Sequence, residues 1–164
     1  SVGCKRALQS ASILAKAAGA AGMVGGQVID LQNEGRQVSM EVLKEMDDKK
    51  TGALIRAACL MGCVLAGAPE SQMRAAYVYA ECIGLAFQIV DDILDVTADS
   101  IELGKPTGSD LENQKSTYVS LLGLNHSREL VQELTDKALG ALDHFPTDTA
   151  FLKELAQTLA VRKK

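Results

Sequence analysis

The stretch Phe87-Gln88-Ile89-Val90-Asp91-Asp92-Ile93-Leu94-Asp95 decides how this chain folds, because its polar and apolar residues separate cleanly only on a helix. At about 100° per residue, Glu81, Gly84, Gln88, Asp91, Asp92, Asp95 and Asp99 fall within roughly a third of the circumference. Cys82, Ile83, Leu85, Ala86, Phe87, Ile89, Val90, Ile93, Leu94 and Val96 cover the remainder. A surface helix shares its circumference more evenly between core and water. This one is expected to lie mostly in the interior, with a narrow polar seam facing a cavity or cleft.

The seam is electrostatically awkward. Asp91 and Asp95 stand one turn apart, with about 5–6 Å between Cβ atoms and Asp92 alongside. At an effective dielectric of about 20, two such charges repel by roughly 3 kcal/mol, and burial adds to the cost of ionising each. A cation between them makes the arrangement tolerable. Carboxylates without His or Cys favour a hard ion such as Mg²⁺, which commonly bridges protein carboxylates to phosphate oxygens. An acidic stripe facing solvent has the same spacing, and spacing alone leaves both readings open.

Working outward, residues 7–32 read as one helix rich in Ala and Gly, ending at Asn33-Glu34-Gly35. A short helix to about Met46 follows with Ser39 as its N-cap, then helices over 48–66 and 71–96 separated by Gly67-Ala68-Pro69. Residues 97–115 carry Gly104, Pro106 and Gly108 and no apolar period, a loop long enough to bear function. Helices over 116–124, 127–142 and 149–161 complete the chain, which shows no strand-like alternation and no fixed-period repeat. The fold class is all-α.

Composition agrees. Of 164 residues 47% are apolar and 23% charged, and only three Pro, three Tyr, three Phe and no Trp occur, which suits packed helices better than a sheet. Lys and Arg number 17 against 21 Asp and Glu, a net charge of −4 without a large basic cluster, which argues against nucleic acid as the partner. Cys59 and Cys63 lie one helical turn apart with no further ligands to complete a zinc site; with Cys82 they sit in apolar runs and are expected as buried, reduced thiols in a cytoplasmic protein. The longest apolar stretch, 57–69, is too short to span a bilayer, and no secretory signal opens the chain. Its first residue is Ser rather than Met, so residues upstream are expected.

Several companions suit phosphate. Lys50-Thr51 near the start of the 48–66 helix offers an ammonium, a hydroxyl and free backbone N–H groups to an anion. Gly104-Lys105-Pro106-Thr107-Gly108 sets one Lys among glycines, and Lys115-Ser116-Thr117 supplies another cation with two hydroxyls at a helix start. Gln27 and Asp30, at i and i+3, share one face of the first helix. Each alone has an ordinary alternative: a solvated Lys in Asp47-Asp48-Lys49-Lys50, a plain turn, or buried structural polars.

Taken in order, Gly25-Gly26-Gln27-Val28-Ile29-Asp30-Leu31, Lys50-Thr51-Gly52-Ala53-Leu54-Ile55, the segment from Gly84 to Asp95, Leu103-Gly104-Lys105-Pro106-Thr107-Gly108-Ser109-Asp110 and Lys115-Ser116-Thr117-Tyr118 resemble the trans-type polyprenyl diphosphate synthases, specifically the bacterial farnesyl diphosphate synthase (geranyltranstransferase) group. The resemblance implies an antiparallel helix bundle of the isoprenoid synthase type around a deep cavity, as a cytoplasmic homodimer. It implies that an allylic diphosphate, held by Mg²⁺ (or Mn²⁺), ionises to an allylic carbocation that the double bond of isopentenyl diphosphate attacks. By position it makes Asp91 the direct metal ligand, with Asp92 and Asp95 holding metal-bound water or orienting the site. Lys50, Thr51, Gln88 and Lys105 would contact the allylic diphosphate, Lys115 would support it, and Gln27 and Asp30 would line the cavity near the reacting carbons.

The family also carries an earlier aspartate-rich motif and earlier isopentenyl-diphosphate ligands, and the one DDxxD of this chain is Asp91 to Asp95. The resemblance therefore covers the C-terminal half of a synthase domain, with the N-terminal helices absent, half of the metal site present and no complete catalytic cycle expected. Terpene cyclases share the fold but carry a different second motif. A non-catalytic helical subunit that binds diphosphate or pairs with a complete synthase is the alternative of another class.

Overall fold

The computed structural model describes residues 2–97 and 115–162, and among these the chain is helical with no strand. The expected single helix over 7–32 is in fact two, α1 (Cys4–Ala18) and α2 (Met23–Gln32). Glycines make the break. Gly19 closes α1 by donating its N–H to the Ala15 carbonyl, and a Cβ at Gly22 would lie 2.0 Å from the Ala17 carbonyl oxygen, so the turn accepts only glycine there. Taken together, residues 4–32 are long and apolar enough by composition to cross a membrane, at a mean hydropathy of 1.2. The two helices of 15 and 10 residues are each shorter than the roughly 20 residues a span requires.

A second difference concerns residues 40–66. The expected helix start at Asp48 does not exist: α3 (Met40–Asp47) passes through a π-turn at Asp48–Gly52 into α4 (Ala53–Ala66), with right-handed helical backbone at both junctions. One continuous helical path with a single wide turn results, a local widening often found at functional sites. Ser39 holds the N-cap position in extended conformation, yet its side chain makes no capping hydrogen bond.

Gly67, at φ 77°, ends α4 and receives the chain into a short turn before α5 (Glu70–Thr97). Thr117 caps α6 (Tyr118–Leu122), exchanging hydrogen bonds with Ser120; α6 is shorter than expected because Gly123, at φ 84°, separates it from α7 (Leu124–Leu142). Helix α8 (Ala150–Val161) follows, its first N–H, that of Ala150, donating to Asp148 Oδ1 at 2.8 Å.

Helix α5 is the axis of the bundle, packed between α4 on one side and α7 and α8 on the other. Its N-terminal half buries Tyr79, Cys82 and Ile83 against Ala138, Ala141, Leu142 and Ala156. Its C-terminal half buries Ile89 and Val90 against Leu43, Met46, Tyr118 and Val131. The second cluster ties α3, α6 and α7 to the part of α5 that carries the acidic seam. All four cysteines are free thiols; Cys82 is buried, Cys59 and Cys63 are half-buried, and Cys4 is exposed, which departs from full burial for Cys59 and Cys63.

Candidate functional site

Close backbone packing builds the site. A Cβ on Gly26 would lie 2.3 Å from the Lys50 backbone nitrogen, so the glycine lets α2 rest directly on the π-turn. Gly84 of α5 meets the same turn from the other side, where its Cβ would stand 3.5 Å from the Gly52 Cα. Gly84 is thus a packing residue rather than part of the polar seam.

The approach of α2 to the π-turn sets Asp30 between two lysines. Lys50 Nζ donates to Asp30 Oδ2 at 2.5 Å, and Lys115 Nζ stands 3.4 Å from Asp30 Oδ1. Burial pushes the Asp30 carboxyl up, but the hydrogen bond from Lys50 and the charges of Lys115 and Lys50 together outweigh it and hold the group below the ordinary carboxylate value. Gln27, Asp30 and Lys115 line a cavity of about 460 Å³ with Asn33, Arg36, Met46 and Ser116. Thr51 is half-buried in the π-turn. No free helix N-terminus accompanies Lys50 and Thr51, since the helical path continues through them; their reach toward an anion rests on side chains alone.

The charged run Asp47-Asp48-Lys49-Lys50 sends four consecutive residues four ways. Asp48 receives a two-pronged ion pair from Arg56, with Nη2 to Oδ2 at 2.9 Å. Lys49 pairs with Glu45 at 2.6 Å, and Lys50 takes Asp30. Asp47 turns inward, is buried, and accepts a hydrogen bond from Gln88 Nε2 at 3.3 Å. Its burial raises the carboxyl to about 6, against the lowering effect of the Gln88 bond and of the charges on Lys115 and Lys50. Sequence reasoning missed Asp47 because an Asp in a charged run reads as solvated. The clue was its place three residues before Lys50 on a helix whose Leu43 and Met46 face the core.

Tyr118, fully buried, closes this corner. Its hydroxyl lies beside Asp47 without a well-formed hydrogen bond among the described residues, and burial with the nearby carboxylates of Asp47 and Asp92 drives its ionisation far up, so it stays a neutral phenol. Its backbone N–H donates to Asp92 Oδ2 at 2.7 Å, anchoring α6 to the seam.

The seam itself divides, which corrects the expectation of a single strip turned inward. Gln88 and Asp92 face Asp47 and Tyr118. Asp91 has an exposed carboxylate that pairs with Arg162, just past the end of α8. Asp95, one turn further, is half-buried. Glu81 belongs elsewhere, to a cavity of about 230 Å³ shared with Lys44, Arg56 and Lys137. Asp99, Lys105 and the Gly104 to Gly108 segment lie outside the described residues.

The donors fit a hard divalent cation in chemistry. Among the described residues no three His, Cys, Asp or Glu side chains converge on one point as a ready-made cage. Mg²⁺ does not require one, since it is usually bound through one or two carboxylates plus phosphate oxygens and water. Asp91 and Asp95 supply carboxylates on one face, and Asp92 serves as a structural acceptor for α6.

The polyprenyl synthetase family profile matches residues 4–156. The chain is 46% identical over 159 residues to the farnesyl diphosphate synthase of Escherichia coli (strain K12), covering 93% of this chain and 52% of that protein. Among solved structures, an FPP/GFPP synthase from Zymomonas mobilis superposes with a TM-score of 0.84 at 32% identity, over 97% of this chain and 52% of that one. A geranyltransferase from Helicobacter pylori, complexed with magnesium and isoprenyl diphosphate, superposes at 0.75 and 32% identity over 96% and 52%. The chain spans about half the length of the curated relatives it matches.

Proposed function

The chain belongs to the polyprenyl synthetase family, and we propose that it carries the allylic-diphosphate half of a prenyl-transfer site that joins an allylic diphosphate (dimethylallyl or geranyl) to isopentenyl diphosphate, giving farnesyl or a related diphosphate. The observation that carries this reading is the Asp30 carboxylate flanked by Lys50 and Lys115 next to a helix with a carboxylate seam. Two ammonium groups held by one acid are oriented cations, and an incoming diphosphate can draw them off Asp30.

In this reading Lys50 and Lys115 bind the diphosphate, and Thr51 and Gln88 add a hydroxyl and an amide. Lys105 completes the set of cations. Charge-assisted contacts of this kind stabilise the leaving diphosphate as its carbon–oxygen bond breaks. Asp91 would hold Mg²⁺ or Mn²⁺ directly, with Asp92 and Asp95 holding metal-bound water or orienting the site, and a bound divalent cation would supply Lewis-acid stabilisation of the same leaving group. Gln27 and Asp30 line the cavity near the reacting carbons, and the apolar helix faces exclude water from the allylic carbocation. A cytoplasmic homodimer, with the rest of the site supplied by segments beyond this chain, belongs to the same proposal.

Asp91→Ala in the full-length protein is expected to lower turnover of geranyl and isopentenyl diphosphates by orders of magnitude while circular dichroism shows helix content nearly unchanged. Near-normal turnover would remove Asp91 from the site.

A further inference from the structure

Arg162 is an unusual ion-pair partner. It is the residue that follows the last turn of α8, yet its guanidinium reaches a carboxylate 71 positions earlier. It is held there by more than charge: Nη2 pairs with Asp91 Oδ1 and also donates to the Phe87 carbonyl at 3.2 Å, while the guanidinium carbon lies 4.0 Å from the centre of the Phe87 ring. The side chain is only 19% exposed, against 48% for Asp91. Its Nε is buried with no hydrogen-bond partner among the described residues, so the placement serves the Asp91 end at some cost to the rest of the group.

We propose that Arg162 is a resident counter-ion that occupies the cation position at Asp91 and competes with the divalent metal for it. The inference rests on the reading of Asp91 as a metal ligand. The guanidinium engages one oxygen of Asp91 and partly neutralises the carboxylate, and a divalent cation approaching the other oxygen meets that positive charge at short range, so metal binding and the Arg162 pair oppose one another. The pair relieves the repulsion within the acidic seam when no metal is bound, and Arg162 releases Asp91 when metal and diphosphate arrive together. The opposite role, a phosphate clamp that helps the metal complex form, gives the opposite sign in the same measurement.

The test is Mn²⁺ binding to the full-length protein in the presence of inorganic pyrophosphate, followed by the electron paramagnetic resonance signal of free Mn²⁺. Arg162→Gln is expected to lower the Mn²⁺ concentration at half-saturation about threefold, the tightening that follows removal of a partly exposed competing pair. Arg162→Lys, which keeps charge but loses the planar stacked fork, is expected to fall between the two. Unchanged or weakened binding in Arg162→Gln would overturn the proposal. Asp91→Asn separates the two levels: if it leaves Mn²⁺ binding intact, the metal assignment itself fails, whereas loss of binding there with no tightening in Arg162→Gln overturns only the competition.

Discussion

Asp47 shows how much of a site can hide in one residue. It is 6% exposed, holds Gln88, and carries a carboxyl raised by burial from 3.8 to about 6. The native state therefore keeps the Asp47 proton more firmly than the unfolded chain does. Asp47 favours the fold below about pH 4, and that contribution is lost as pH rises through about 6. Asp47→Asn keeps an acceptor for Gln88 and removes the buried charge. In the metal-free protein it is expected to raise stability at neutral pH, by about 3 kcal/mol, and to change little near pH 4. Urea unfolding of both proteins across that range checks this; a difference that does not vary with pH would contradict it. Asp30 and Lys50 were each legible in the sequence as polar residues on helices. Their pairing was not, because nothing in either segment says that two backbones touch.

That contact belongs to the level of the helices, where two glycines place the π-turn between α2 and α5. At Gly26 the obstructing atoms are the Lys50 backbone nitrogen and Cα, which a methyl carbon at that position would meet at 2.3 and 2.6 Å, so no rotamer change relieves the clash. Gly26→Ala is expected to push α2 off the turn, separate Asp30 from Lys50, and cost about 1–3 kcal/mol. Gly62→Ala in α4, where nothing beyond the helix's own backbone lies within 4 Å of an added methyl, is the control and is expected to be neutral or stabilising by up to about 1 kcal/mol. Thermal unfolding of the two variants should separate them; equal effects would mean the close approach carries no energetic weight. Apolar periodicity revealed α5, α7 and α8 to within a few residues, since each buries a broad face. It failed at 19–22 and at 48–52, because a glycine break and a π-turn change the backbone without interrupting the apolar pattern.

For the molecule as a whole, five ordered motifs were enough to reveal the family, since motif order survives where helix boundaries blur. What they could not reveal is the division of the acidic seam. Asp92 is drawn toward Tyr118 and Asp91 toward Arg162 by residues 26 and 71 positions away in the chain. The chain spans 52% of the Escherichia coli relative, and the α5 seam and the apolar side chains Val24, Val28 and Leu31 of α2 are open to solvent or only partly covered. In the proposed function this seam and the lysines held by Asp30 together grip a metal-bound diphosphate. Anomalous diffraction at the manganese edge, from crystals of the full-length protein grown with Mn²⁺ and inorganic pyrophosphate, tests it most directly. A manganese peak is expected about 2 Å from an Asp91 carboxylate oxygen, with pyrophosphate oxygens in contact with Lys50; manganese and pyrophosphate bound only away from Asp91 and Lys50 would contradict the proposed function.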